Sequence, residues 1–208
     1  TAEIVLAVEP PPFGATFSWD WLDLETAVAP IELLAPPDGA IVAGQWPTFG
    51  WSPLYAALDY QLQVDDDETF ASPELDVVVT NPEHTPAAPL PDGFYHWRAR
   101  GTSPGGVSDW GGPSRLTVDT EDPWFDDWWP WWQDTIWCGP YPLHARVTDT
   151  GSRVDSVRLC YRFNGGDFDC VRMLAGEGGG DVYGAAIPAA QPGDVIDYYM
   201  IAWDFAGN

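Results

Sequence analysis

The chain has 208 residues, enough for two small domains with a modest core each, and it carries 21 glycines and 21 prolines with almost no helix-period patterning. Lysine is missing, all eight basic residues are arginine, and 32 acidic residues leave a formal net charge of −24. Such a field repels nucleic acid and anionic membrane surfaces, and no apolar run reaches the length of a membrane-spanning helix, so neither a nucleic acid partner nor membrane insertion is expected.

The first predicted element is a strand over residues 1–10, "TAEIVLAVEP", where Ile4, Leu6 and Val8 alternate with Glu3, Val5, Ala7 and Glu9. A Trp/Pro linker, "PPPFGATFSWDWLDL" and its flank, fills residues 11–29. From 30 to 120 short strands recur between turn residues. "IELLAPPDGA" breaks on Pro36, Pro37, Asp38 and Gly39, and "WPTFGW" follows. "LDYQLQVDDD" then sets Leu58, Tyr60, Leu62 and Val64 on one face and Asp59, Gln61 and Gln63 on the other. "ELDVVVT", "GFYHWRARG" and "PSRLTVDT" complete a Greek-key β-sandwich.

Residues 121–136 read as a second, acidic linker; the stretch "EDPWFDDWWPWWQDTIW", which runs on to Trp137, holds six of the 13 tryptophans, and proline argues against regular secondary structure. Its exposed aromatics, Trp124, Trp128, Trp129, Trp131 and Trp132, need a cover. They are expected to form an aromatic joint between domains or between neighbouring chains, the alternative being a platform on which sugar rings stack. Residues 137–208 form a second sandwich. "YPLHARVTDTG" alternates Leu143, Ala145 and Val147 against His144, Arg146 and Thr148, "VDSVRLCYRFNGGDFDCVRM" is a hairpin turning at Asn164, Gly165 and Gly166, and "DVYGAAIPAA" and "GDVIDYYMIAWD" follow.

The anchors "PDGAIV", "PTFGWSP", "LDYQLQVD", "DGFYHWRARG", "GVSDW" and "LTVDT", with Trp51 on an early strand and Tyr95 and Trp97 on the penultimate one, resemble a bacterial fibronectin type III domain. That resemblance implies a spacer or adhesion module. The second half resembles bacterial Ig-like surface repeats, which carry alternating strands, an "I-P" pair and a strand closing in "D-x-x-G-N", here Asp204 to Asn208. In that family one more strand follows, and joining residue 208 to residue 1 yields "DFAGNTAEIVLAVEP", the usual family ending.

The expectation is therefore an all-β chain of two tandem Greek-key β-sandwiches, the second completed by the strand at residues 1–10. An exposed strand edge is costly and is readily filled by another chain. The closing strand is assigned to the next copy, with Ile4, Leu6 and Val8 entering an acceptor formed by Ile196, Tyr198, Met200 and Ala202. Head-to-tail insertion without ring closure gives an open filament, whether of separate subunits or of one tandem-repeat chain. On the outer face of the same strand Tyr199, Ile201 and Trp203 stand where polar residues are usual in the family, which marks a lateral contact with a linker or another subunit.

No nucleophile elbow, zinc-site spacing or phosphate loop is present, and His84, His96 and His144 are isolated, so no enzymatic activity, cofactor or metal is expected. Calcium enters only as an alternative to a turn for the "DDD" at 65–67 and the Asp-rich linkers. Cys160 and Cys170 fall on the outward faces of adjacent hairpin strands and are disulfide candidates, leaving Cys138 free or intermolecular; a bond from Cys138 to either is the alternative. The whole reads as an extracellular or cell-surface filament component whose main partner is itself, with a carbohydrate-binding accessory module as the alternative.

Overall fold

The computed structural model describes residues 28–130, 138–176 and 180–208, and these contain no helix. Every element among them is a β-strand, and the strands divide into two sandwiches.

The first sandwich is built from nine strands. β1 (Leu33–Ala35), β3 (Phe49–Trp51) and β6 (Glu83–His84) form one sheet in the order β1-β3-β6. The facing sheet runs β2-β9-β7-β4-β5, from β2 (Ala40–Val42), β9 (Gly111–Val118), β7 (Gly93–Ser103), β4 (Asp59–Asp65) and β5 (Leu75–Val79), with the short β8 (Gly106–Val107) paired to β7. The chain changes sheets between β1 and β2 at the Pro36–Gly39 break. The Ala40 amide donates to the Pro37 carbonyl at 3.0 Å. Gly39 has φ +77°, a left-handed conformation that a side chain at this turn would strain.

Period-2 alternation builds the core. On β4 Tyr60, Leu62 and Val64 are buried, and on β7 Tyr95, Trp97 and Ala99 are. Trp97 packs on Phe49 with ring centroids 5.1 Å apart, and Trp51 on Tyr60 at 5.6 Å. Leu58 departs from the expected face: it precedes β4 and is exposed, its amide donating to the Thr102 carbonyl where the strand begins. The outer face is ordered too. The Arg98 guanidinium donates to Gln63 Oε1 at 2.7 Å and lies over the rings of Phe70 and Trp110, and Arg100 repeats the arrangement with Gln61 and Trp110.

In the second sandwich β10 (Trp124–Pro130), β11 (Tyr141–Thr148), β15 (Val182–Ile187) and β14 (Leu174–Ala175) form one sheet in the order β10-β11-β15-β14. The other sheet is β13-β12-β16, from β13 (Asp169–Arg172), β12 (Val154–Phe163) and β16 (Ile196–Asp204). Leu143, Ala145, Val147, Val157, Leu159, Tyr161, Met173 and Ile187 make its core. The β12–β13 hairpin turns through Asn164 at φ +52° and Gly165 at φ +73°.

One assignment from sequence is corrected. Residues 124–130 are not linker: β10 pairs antiparallel with β11, Trp128 opposite Ala145 and Trp129 opposite His144. Pro130 is tolerated because it is the last residue of β10, an edge strand, where the lost N–H is least costly to the ladder. A bulge between Phe125 and Asp127 interrupts the alternation that would otherwise have marked the strand.

Candidate strand-acceptor edge

The two sandwiches differ along one side. In the first, β7 is flanked by β4 and β9, so both its backbone edges are paired. In the second, β16 pairs with β12 alone among the described residues, and β10 is the corresponding edge of the opposite sheet. Those two edges lie on the same side of the sandwich. β13 and β14 are separated only by Met173 and end their respective sheets, which places β10 and β16 together on the other side.

Burial follows the pairing. Tyr95, Trp97 and Ala99 of β7 are at most 4% exposed. On β16 Ile196, Tyr198, Met200 and Ala202 also face the core, yet all four are only half-buried. Burial pushes the Tyr198 phenol upward from its ordinary pKa. On β10, strand pairing sets Phe125 opposite Val147 and Trp128 opposite Ala145, so both aromatics stand on the core side of the strand. Phe125 packs against the core, and Trp128 is 52% exposed. β10 and β16 thus present two sheet edges on one side of the sandwich, with apolar side chains facing the core and, along β16, backbone groups that no neighbouring strand takes up among the described residues.

The structure therefore divides the tryptophans expected to make a joint. Trp128 lies on the core side of β10, whereas Trp124, 69% exposed, and Trp129, stacked on His144 at 6.3 Å, lie on its outer face. Trp131 and Trp132 lie outside the described residues, as do Ile4, Leu6 and Val8. Phe125 was not singled out from sequence, though Phe125 and Trp128, flanking the acidic pair Asp126–Asp127, carried the signal once a bulge is allowed.

On the outer face of β16 Tyr199 and Ile201 are exposed and Trp203 is half-buried. Part of their cover comes from the same domain. Phe168 meets Tyr199 edge-on at 5.0 Å, Arg162 lies over Phe168 at 4.6 Å, and Arg158 sits 5.6 Å from the Trp203 ring. Beside them Cys160 and Cys170, directly opposed on β12 and β13, are joined in a disulfide, which leaves Cys138 outside that bridge.

The strand order and core of the first half define a fibronectin type III-like sandwich, and the described chain is all-β, with a second β-sandwich after the first. No family model matches the chain, and no curated protein matches it. Among solved structures it is similar to the FN1–FN3 domains of chicken CNTN1, with 16% identity and a TM-score of 0.42 over 87% of this chain and 60% of that one, so it spans less than two thirds of that structure. It is also similar to the fibronectin(III)-like modules of Clostridium thermocellum CbhA, with 16% identity and a TM-score of 0.40 over 85% and 87% of the two chains. A two-domain fibronectin type III segment of chicken tenascin matches with 15% identity and a TM-score of 0.33 over 84% and 89%.

Proposed function

We propose that the chain is a structural subunit or repeat of an extracellular filament, in which the β10–β16 side of the second sandwich takes up the strand at residues 1–10 of the next copy. The observation that carries this reading is the half-burial of Ile196, Tyr198, Met200 and Ala202 where the equivalent strand of the first sandwich is fully covered. An extended segment added to the edge of β16 would extend its ladder and set Ile4, Leu6 and Val8 against those four residues. Three such side chains contribute about 1.5–3 kcal/mol each, in total comparable to the stability of a small domain, so the contact would hold tightly.

Electron microscopy of the intact chain and of a variant lacking residues 1–10 tests this. Fibres from the intact chain and none from the truncation are expected; fibres from both, or a strictly monomeric intact chain, would sink the idea. Mass under denaturing, reducing conditions then separates the two modes of assembly. A species near 22.9 kDa means separate subunits, and a multiple of it means a covalent tandem repeat.

A glycan-binding role is less well supported. Trp128 and Trp129 project from opposite faces of β10 and cannot form one stacking surface.

A further inference from the structure

Where the two sandwiches meet, three carboxylates converge from three distant points of the sequence. Asp119 follows β9 of the first sandwich, Asp149 follows β11 and Asp204 ends β16 of the second. One oxygen from each lies within 4.8 Å of the others. Asp119 is 1% exposed and Asp204 3% exposed. The two Arg–Asp ion pairs among the described residues, Arg115 with Asp38 and Arg162 with Asp197, lie elsewhere, so among those residues no arginine pairs with the cluster.

Each carboxylate is held by backbone amides. Asp119 Oδ1 accepts from the Glu121 amide at 3.2 Å, Asp149 Oδ1 from Gly151 at 3.1 Å and Arg153 at 2.7 Å, and Asp204 Oδ1 from Gly207 at 2.6 Å and Asn208 at 2.9 Å. Asn208 Nδ2 bridges the domains by donating to the Asp119 carbonyl at 2.8 Å and to Asp204 Oδ2 at 3.0 Å. The other oxygens of Asp119 and Asp149 are buried and accept no hydrogen bond among the described residues. Orphaned acceptors in a buried, uncompensated cluster call for a positive partner. Space is reserved for them as well: a methyl group on Gly151 would collide with the Asp119 carboxylate.

We propose that Asp119, Asp149 and Asp204 form a divalent cation site, filled by Ca²⁺, that clamps the first sandwich to the second. The donors are hard oxygens with no His or Cys among them, which selects an alkaline-earth ion over zinc. Oxygens on opposite sides of a Ca²⁺ stand about 4.6–5.2 Å apart, twice a Ca–O distance of 2.3–2.6 Å, and the observed spacing fits inside that limit. A cleft lined by Asp92, Thr117, Asp119, Glu121, Thr150 and Gly151 adjoins the cluster and gives a hydrated ion a way in. The second acidic cluster, Asp65, Asp66 and Glu74, lacks these marks. Asp65 accepts the Asp67 amide on one oxygen and the Ser72 amide on the other, and Glu74 accepts the Asp66 amide, which makes the "DDD" stretch a capped turn.

The test is titration of CaCl₂ into the chelator-stripped 208-residue chain, followed by calorimetric binding and thermal unfolding, with Asp119→Asn, Asp149→Asn and Asp66→Asn beside the wild type. Saturable binding is expected, with a dissociation constant no weaker than about 1 mM, and a Tm that rises with Ca²⁺. Asp119→Asn should weaken binding at least tenfold and remove the rise in Tm, Asp149→Asn should do the same should the first variant fail to fold, and Asp66→Asn should respond like wild type. No binding up to about 10 mM overturns the proposal. So does a Ca²⁺ response that persists in the Asp119 and Asp149 variants, which would be general screening of a chain of net charge −24.

Discussion

Asp38 shows what a single turn residue does in this fold. Its carboxylate accepts the Arg115 amide at 2.9 Å and the guanidinium at 2.7 Å, tying the sheet-switching turn to β9. The Arg115 side-chain hydrogen bond, then the backbone one, holds the Asp38 carboxyl from its ordinary 3.8 down to about 2. Because the folded value is the lower one, the pair's contribution to stability is present above the ordinary carboxylate range and is lost as the pH falls through about 2. Carboxyl NMR should place the Asp38 midpoint near 2 and return it toward 3.8 in Arg115→Ala; equal midpoints in the two proteins would refute the pairing. Tyr95 makes the comparable contact on β7, its hydroxyl donating to the Pro91 carbonyl at 2.9 Å. Tyr95→Phe should cost about 1 kcal/mol in urea unfolding, the usual net worth of such a bond. The turn at Pro36–Gly39 was legible in sequence because proline and glycine act locally. The Asp38–Arg115 partnership was not, since 77 residues separate the two and nothing local couples them.

At the scale of elements, alternation made β4, β7, β11 and β16 readable and failed at β10. A terminal proline, adjacent acidic residues and a bulge hide the period of that strand, and its status as a strand depends on a partner, β11, that lies beyond residues 131–137. The acceptor reading has an energetic signature at this scale. Leu159 on β12 is fully buried, so Leu159→Ala should cost about 2–5 kcal/mol in the unassembled chain. Met200 is half-buried, and Met200→Ala should cost distinctly less in the unassembled chain and more once fibres form, because a filling strand completes its burial. Chemical denaturation of both variants below and above the assembly concentration measures the difference. An equal cost for Met200→Ala in both states would mean that nothing docks on β16.

For the molecule as a whole, two cores separated in sequence and joined by polar contacts, such as Thr150 donating to Glu121 at 3.0 Å, should unfold as two cooperative units. In the proposed filament, copies that each carry a net charge of −24 would repel one another before docking. Raising the salt from about 0.01 M to 0.1 M shortens the screening length from about 30 Å to 10 Å and should speed assembly without altering the fibre. The lower unfolding transition is expected from the second sandwich, in which β16 has one strand neighbour among the described residues, and the upper one from the first sandwich, with β9 closing β7. Leu6→Asp should block the chain's own strand from serving as donor while leaving both cores intact. A synthetic peptide of residues 1–10 added to that variant should then raise the lower transition in proportion to the logarithm of its concentration and leave the upper one in place. Movement of both transitions would mean that the strand binds at the junction and not at the edge. Movement of neither would mean that residues 1–10 are not the strand that β16 accepts.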